Sequence, residues 1–151
     1  MVQTYSENNN IYSVDMMFAY IHLFKPEIIT INIKDILSNL DYKCWGDTSK
    51  KIYYSPMDVI NNIKNKKYAD EVERITNADL KYPIIMDGKY IVDGMHRLSK
   101  AYILGKKTIK VYKFTKAHMK KFIIDTNINW NSVDQLKTYD YIELFYKRFC
   151  K

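Results

Sequence analysis

Two Asp-Gly dipeptides, Asp87-Gly88 and Asp93-Gly94, stand close together inside the stretch Pro83–Gly105 and punctuate it sharply. The first lies between Pro83-Ile84-Ile85-Met86 and Lys89-Tyr90-Ile91-Val92. Asp-Gly between two such segments predicts a tight hairpin whose two turn positions both take positive φ. The second dipeptide closes the second strand. Met95–Leu104 then carries Leu98, Ala101 and Leu104 at helical spacing, with Gly105 as the stop. Thr108–Phe114 alternates Ile109 and Val111 against Lys110 and Tyr112, a strand pattern. Strand, turn, helix and strand within about thirty residues predict an α+β chain built on a small mixed sheet flanked by helices.

The remaining elements are expected to frame that unit. Ser13 is placed to cap a helix over 13–24, which Lys25-Pro26 ends. Ile28–Ile33 is β-branched and reads as a first strand, Asp35–Leu40 as a helical turn, and Asp41–Lys51 as a loop. Ser55-Pro56 is a sharp helix start, with Val59, Ile60 and Ile63 on one face. Val72 and Ile75 predict another short helix. Beyond Lys116 the chain reads as helical: Ala117–Ile124, then a helix capped by Ser132 and running through Leu136, Tyr139, Ile142, Phe145 and Phe149. No repeat and no Gly/Ser linker divides the chain, so residues 1–151 are expected to form one domain, with 116–151 as a helical extension.

Composition narrows the function classes. With 47% hydrophobic and 27% charged residues, the chain can bury a core and stay soluble. The formal charge of +7 favours anionic partners, yet the lysines are scattered and no arginine-rich stripe forms. Cys44 and Cys150 lie far apart and make no CxxC pair, which argues against a redox or metal motif and for a reducing compartment. Met1–Asn10 is polar, unlike a signal peptide, and no run approaches the ~20 apolar residues of a membrane span. A soluble, cytoplasmic protein without a membrane partner is the expectation.

Chemistry concentrates at Asp93-Gly94-Met95-His96-Arg97. A helix's first turn leaves backbone N–H groups without intrahelical partners, and its dipole favours negative charge. Gly94 before that turn lets an anion approach the backbone. Arg97 offers a fork suited to phosphate, and His96 can donate to a phosphate oxygen or move a proton near neutral pH. Asp93 can hold Mg²⁺ or cap the helix. Taken singly, these residues are a cap, a turn and two exposed helix positions. Their convergence on one helix end after a strand, in a basic chain, points to an anion site. Ser55 and Asp58, at the preceding helix start, are the next candidates for the pocket, and Lys100, a turn beyond His96, points at phosphate or at water.

The run Tyr90-Ile91-Val92-Asp93-Gly94-Met95-His96-Arg97-Leu98-Ser99-Lys100-Ala101, closed by Leu104-Gly105 and Ile109-Lys110-Val111, resembles the core of the ParB/sulfiredoxin-like superfamily. Upstream, Ile29–Ile33, Ser55–Ile60 and Tyr82-Pro83-Ile84-Ile85 follow in the order those domains show. The resemblance covers roughly 28–114. It implies nucleotide phosphates bound by Gly94, Met95, His96 and Arg97, with ATP, ADP or CTP as the ligand. The free serine kinases of the group carry Asp-Gly-His-His-Arg at this place. That similarity implies a phosphotransferase or nucleotide hydrolase with Asp93 and His96 as catalytic residues, and Mg²⁺ held by Asp93.

The departures are specific. Sulfiredoxins need Cys immediately before the His, where this chain has Met95, so sulfinic-acid reduction is not expected. ParB proteins use Gly-Glu-Arg-Arg and a following helix-turn-helix domain; the stretch after Lys116 is too short for that domain plus a dimerisation module, so DNA partition is not expected. The kinases place a catalytic Glu ahead of the helix matching Pro56–Ile63, where this chain reads Ile52-Tyr53-Tyr54 and the nearest carboxylates are Asp47 and Asp58. Three alternatives to a nucleotide-dependent enzyme therefore stand beside it: a non-catalytic nucleotide- or nucleic-acid-binding module, a ParB-like nuclease, and a structural or interaction protein that has kept the fold and lost its activity.

Overall fold

A computed structural model describes residues 3–125, 133 and 135–150. The described chain opens on a hairpin, β1 (Thr4–Glu7) and β2 (Asn10–Ser13), paired antiparallel from Thr4↔Ser13 to Glu7↔Asn10. Its turn residues Asn8 and Asn9 have φ of 50° and 65°, the left-handed pair of a type I′ turn that asparagine tolerates. Helix α1 (Val14–Phe24) follows at once: Ser13 accepts from the Met16 amide at 3.1 Å, and Lys25 ends the helix in the left-handed region ahead of Pro26. Strand β3 (Ile29–Asn32) runs into a 3₁₀ segment, Ile33–Asp41.

Most of Asp41–Lys51 is the expected loop and turn, but within it Trp45–Asp47 forms a strand, β4, that pairs with β5 (Ile52–Tyr54) just beyond it in a two-stranded ribbon. Its strands are short and polar-flanked, so no alternation of apolar residues announces them. Helix α2 (Pro56–Ile60) starts where Ser55-Pro56 predicts but stops before Ile63, and α3 (Ala69–Asn77) follows a single 3₁₀ turn at Lys66–Tyr68.

Strands β6 (Ile84–Asp87) and β7 (Tyr90–Asp93) form the predicted hairpin, with Asp87 paired to Tyr90. The turn positions are thus Gly88 and Lys89, shifted by one from the expected Asp87 and Gly88. Gly88 alone of the two has positive φ, 56°, as a type II′ turn requires. Helix α4 (Met95–Ile103) and strand β8 (Thr108–Phe114) complete the unit as expected. Beyond it, α5 (Lys116–Lys121) is shorter than predicted, because Ile123–Asp125 turns into strand β9 and pairs with β2. Helix α6 (Thr138–Phe145) begins after Lys137, whose amide donates to Asp140 at 2.8 Å. Ser132, expected to cap this helix, lies outside the described residues.

Two compact units result. The first joins 1–26 to 114–151, and the second is Glu27–Lys113. In the first, the strand order is β1-β2-β9, and the Tyr20 ring meets Phe24, Phe114, Phe122 and Phe149 at centroid distances of 5.0–5.8 Å. No helix of the described residues is long and apolar enough to cross a membrane.

The second unit carries the sheet β3-β8-β6-β7, antiparallel at its β3–β8 and β6–β7 pairs. One face, with Ile84, Met86, Ile91, Ile109 and Val111, packs on Ile36 and Leu40 of the 3₁₀ segment and on Leu98 and Ala101 of α4. Burying a side chain such as Leu98 contributes roughly 1.5–3 kcal/mol. Edge strand β7 is secured by a buried amide: Asn39 accepts from the Ile91 amide at 3.1 Å and donates to the Lys89 carbonyl at 2.9 Å. The side chain of Asn39 thereby takes the part of a neighbouring strand. It holds β7 in place, and β7 delivers Asp93 and the start of α4.

Candidate functional site

The site begins where β7 hands over to α4. Gly94 is the N-cap of α4, with φ 113° and no side-chain hydrogen bond to the first turn. The first intrahelical bond is Leu98 N–H to the Gly94 carbonyl at 2.9 Å, so the amides of Met95, His96 and Arg97 precede the helical ladder. A Cβ at Gly94 would lie 2.5 Å from Ile84 Cγ2 and 3.0 Å from Arg97 Nη2. Glycine is therefore demanded both by backbone conformation and by close packing.

Arg97 braces this turn. Its Nη2 lies 2.6 Å from Asp93 Oδ2, and Nη1 donates to the carbonyls of Tyr82 (3.1 Å) and Pro83 (2.7 Å). These three bonds draw on a guanidinium with five N–H groups, so two remain for a ligand. Asp93 is committed to the same pair. Among the described residues no group of three or more His, Cys, Asp or Glu could hold a metal ion. The described residues thus do not make a magnesium site by themselves.

His96 is held from two sides. Its Nε2 lies 2.6 Å from Glu71 Oε2, and its ring stacks on Trp45 with centroids 4.5 Å apart and 15° between planes. A carboxylate only accepts, so Nε2 carries the proton and Nδ1 is left as an acceptor when the ring is neutral. Glu71 is buried on α3, with Arg74 Nη1 3.8 Å from its other oxygen. This carboxylate was not foreseen in the sequence. Its signal is the spacing Tyr68, Glu71, Ile75, an acid on the buried stripe of a short helix. Trp45 was missed with the ribbon that carries it.

Together these elements enclose an open cleft of about 650 Å³, walled by Arg74 and Asn77 of α3, by Tyr82, and by Asp93, Gly94, His96 and Arg97. That is within the size range of small-ligand sites, roughly 300–1,000 Å³. Asp70, Glu73 and Asp79 also line it, so the cleft is mixed in charge rather than uniformly basic.

Of the residues singled out in the sequence, Asp93, Gly94, His96 and Arg97 come together here. Met95 contributes backbone only, because its side chain packs against the core. Ser55 and Asp58 are elsewhere employed, in a reciprocal capping box: the Asp58 amide donates to Ser55 Oγ at 3.1 Å and the Ser55 amide to Asp58 Oδ2 at 2.9 Å. That backbone hydrogen bond holds the Asp58 carboxyl below its usual value. Neither residue lines the cleft. The Lys100 ammonium donates to the carbonyls of Thr76 (2.8 Å) and Ala78 (2.7 Å) at the end of α3, and Lys100 does not line the cleft. Asp47 is engaged by Ser49.

No family model matches the chain, and neither does any curated protein or solved structure.

Proposed function

We propose that the Glu27–Lys113 unit is a ParB/sulfiredoxin-like nucleotide-binding module. In this reading the phosphates of ATP, ADP or CTP rest on the first turn of α4. The observation that carries it is the uncapped N-terminus of α4 opening through Gly94 into the cleft. Backbone amides and the helix dipole there favour a negative group, and Arg97 has two N–H groups left to donate.

The Glu71–His96 pair supports a phosphotransferase or hydrolase. Glu71 fixes the ring and its tautomer, as a carboxylate does for catalytic histidines, leaving Nδ1 to accept a proton. An attacking hydroxyl or water would lose its proton to Nδ1 as its oxygen bonds to phosphorus and the bond to the leaving phosphate breaks. The internal ties of Arg97 favour a second reading, a nucleotide binder without turnover.

One experiment separates the two: thermal melts with ATP, ADP and CTP, each with and without Mg²⁺, alongside phosphate release. Ligand at about a hundred times its Kd stabilises the folded state by about 2.7 kcal/mol. For the enzyme, His96→Gln keeps the thermal shift and loses turnover by about a hundredfold or more. For the binder, neither protein turns over. If no nucleotide moves the wild-type melt, both readings fail.

A further inference from the structure

A second concavity of the Glu27–Lys113 unit, about 500 Å³, lies at the opposite end of α4 and contains no carboxylate. Lys34, Lys106 and Lys107 line it together with Asn32, Leu37 and Tyr102. Among the described residues none of the three lysines makes an ion pair, a hydrogen bond through its ammonium or a cation–π contact. Tyr102 is 38% exposed, and among the described residues its ring stacks on no other ring. Other lysines of the unit do find partners: Lys43 an acid, Lys81 an acid and a ring, Lys89 a ring, Lys100 two carbonyls.

The backbone beneath these side chains is fixed. The Lys106 amide donates to the Ala101 carbonyl and the Gly105 amide to the Tyr102 carbonyl, both at 3.0 Å, the paired bonds of a Schellman cap. The Ile33 amide donates to the Lys107 carbonyl at 2.9 Å, tying the wall that bears Lys34 to the wall that bears Lys106 and Lys107. Attraction to the helix's carbonyl end accounts for a cation at Lys106 or Lys107. It does not account for Lys34 on the facing segment or for an exposed aromatic in the same groove.

From this arrangement we propose that the groove binds single-stranded nucleic acid, with Tyr102 stacking a base and the three lysines following the backbone phosphates. Stacking on an aromatic face between cations is how sequence-tolerant single-strand sites work. A duplex, whose bases are already stacked, offers Tyr102 nothing. This groove is separate from the Gly94 cleft, and it stands or falls independently of nucleotide binding there.

The test is fluorescence anisotropy of a labelled 20-residue oligothymidylate with the full chain, between 50 and 200 mM salt. Three neutralised phosphates predict a slope of log affinity against log salt of about −2. Lys34→Gln/Lys106→Gln/Lys107→Gln abolishes that dependence, and Tyr102→Ala weakens binding about tenfold. A control of equal charge change, Lys50→Gln/Lys64→Gln/Lys66→Gln, leaves binding in place. Thermal melts verify that each variant is folded, and if the triple variant is not, Lys34→Gln and Lys107→Gln are measured singly. Three results overturn the proposal: no binding by the wild type, equal loss in the control, or tighter binding to duplex or to anionic vesicles than to the single strand.

Discussion

At the scale of single residues, the site rests on two placements that a substitution can probe directly. Gly94→Ala forces a Cβ to within 2.5 Å of Ile84 Cγ2 in a backbone with φ 113°, where side chains are rare. We expect a loss of about 2 kcal/mol or more, read by urea denaturation. Glu71 is buried and its shortest contact is the His96 ring. Among the described residues His96→Ala leaves that carboxylate with the longer Arg74 contact alone, so about 2 kcal/mol of stability should go with it. His96→Gln, which keeps a donor, should recover much of the loss in the same measurement; equal losses would detach Glu71 from His96. That Gly94, His96 and Arg97 share one helix end was legible in the sequence because strand, Asp-Gly and helix follow one another there without a break. Their partners were less so. Glu71, Trp45 and the Tyr82–Pro83 carbonyls reach the site from elements remote in sequence, and spacing along one helix carries no information about them.

At the scale of elements, local chemistry decided most of what formed. Ser13, Ser55-Pro56 and Gly105 each mark a helix end through their own backbone preferences, and the structure follows them. The capping box at α2 makes a pH prediction. The carboxyl of Asp58 is held below its usual 3.8 chiefly by the Ser55 amide, so its stabilisation is complete above that value. It is lost as the pH falls through the lower, folded value. Asp58→Asn should therefore flatten the acid limb of the stability curve, and Ser55→Ala should cost about 1 kcal/mol near neutral pH. What local chemistry did not reveal is pairing. The β1–β2 hairpin, the Trp45 ribbon and β9 are short strands stabilised by neighbours, and three or four residues hold too little alternation to declare themselves.

At the scale of the whole molecule, an α+β architecture was readable because strand and helix periodicities differ so plainly between Ile84 and Phe114. The stretch 28–114 already stood apart in the sequence from its two flanks, close to the Glu27–Lys113 unit; that the flanks join into one unit was not readable, since it depends on β9 returning to β2 across the length of the chain. The Glu27–Lys113 unit presents two concavities of different character, a mixed-charge cleft at the start of α4 and a basic groove beyond its end. We propose that the first of these recognises phosphate. Isothermal titration of the wild type with ATP and, in parallel, with adenosine tests it most directly. Phosphate recognition requires saturable binding of ATP that weakens by tenfold or more in Arg97→Ala, and no binding of adenosine. Equal affinity for adenosine and ATP, or no heat with either, would contradict it.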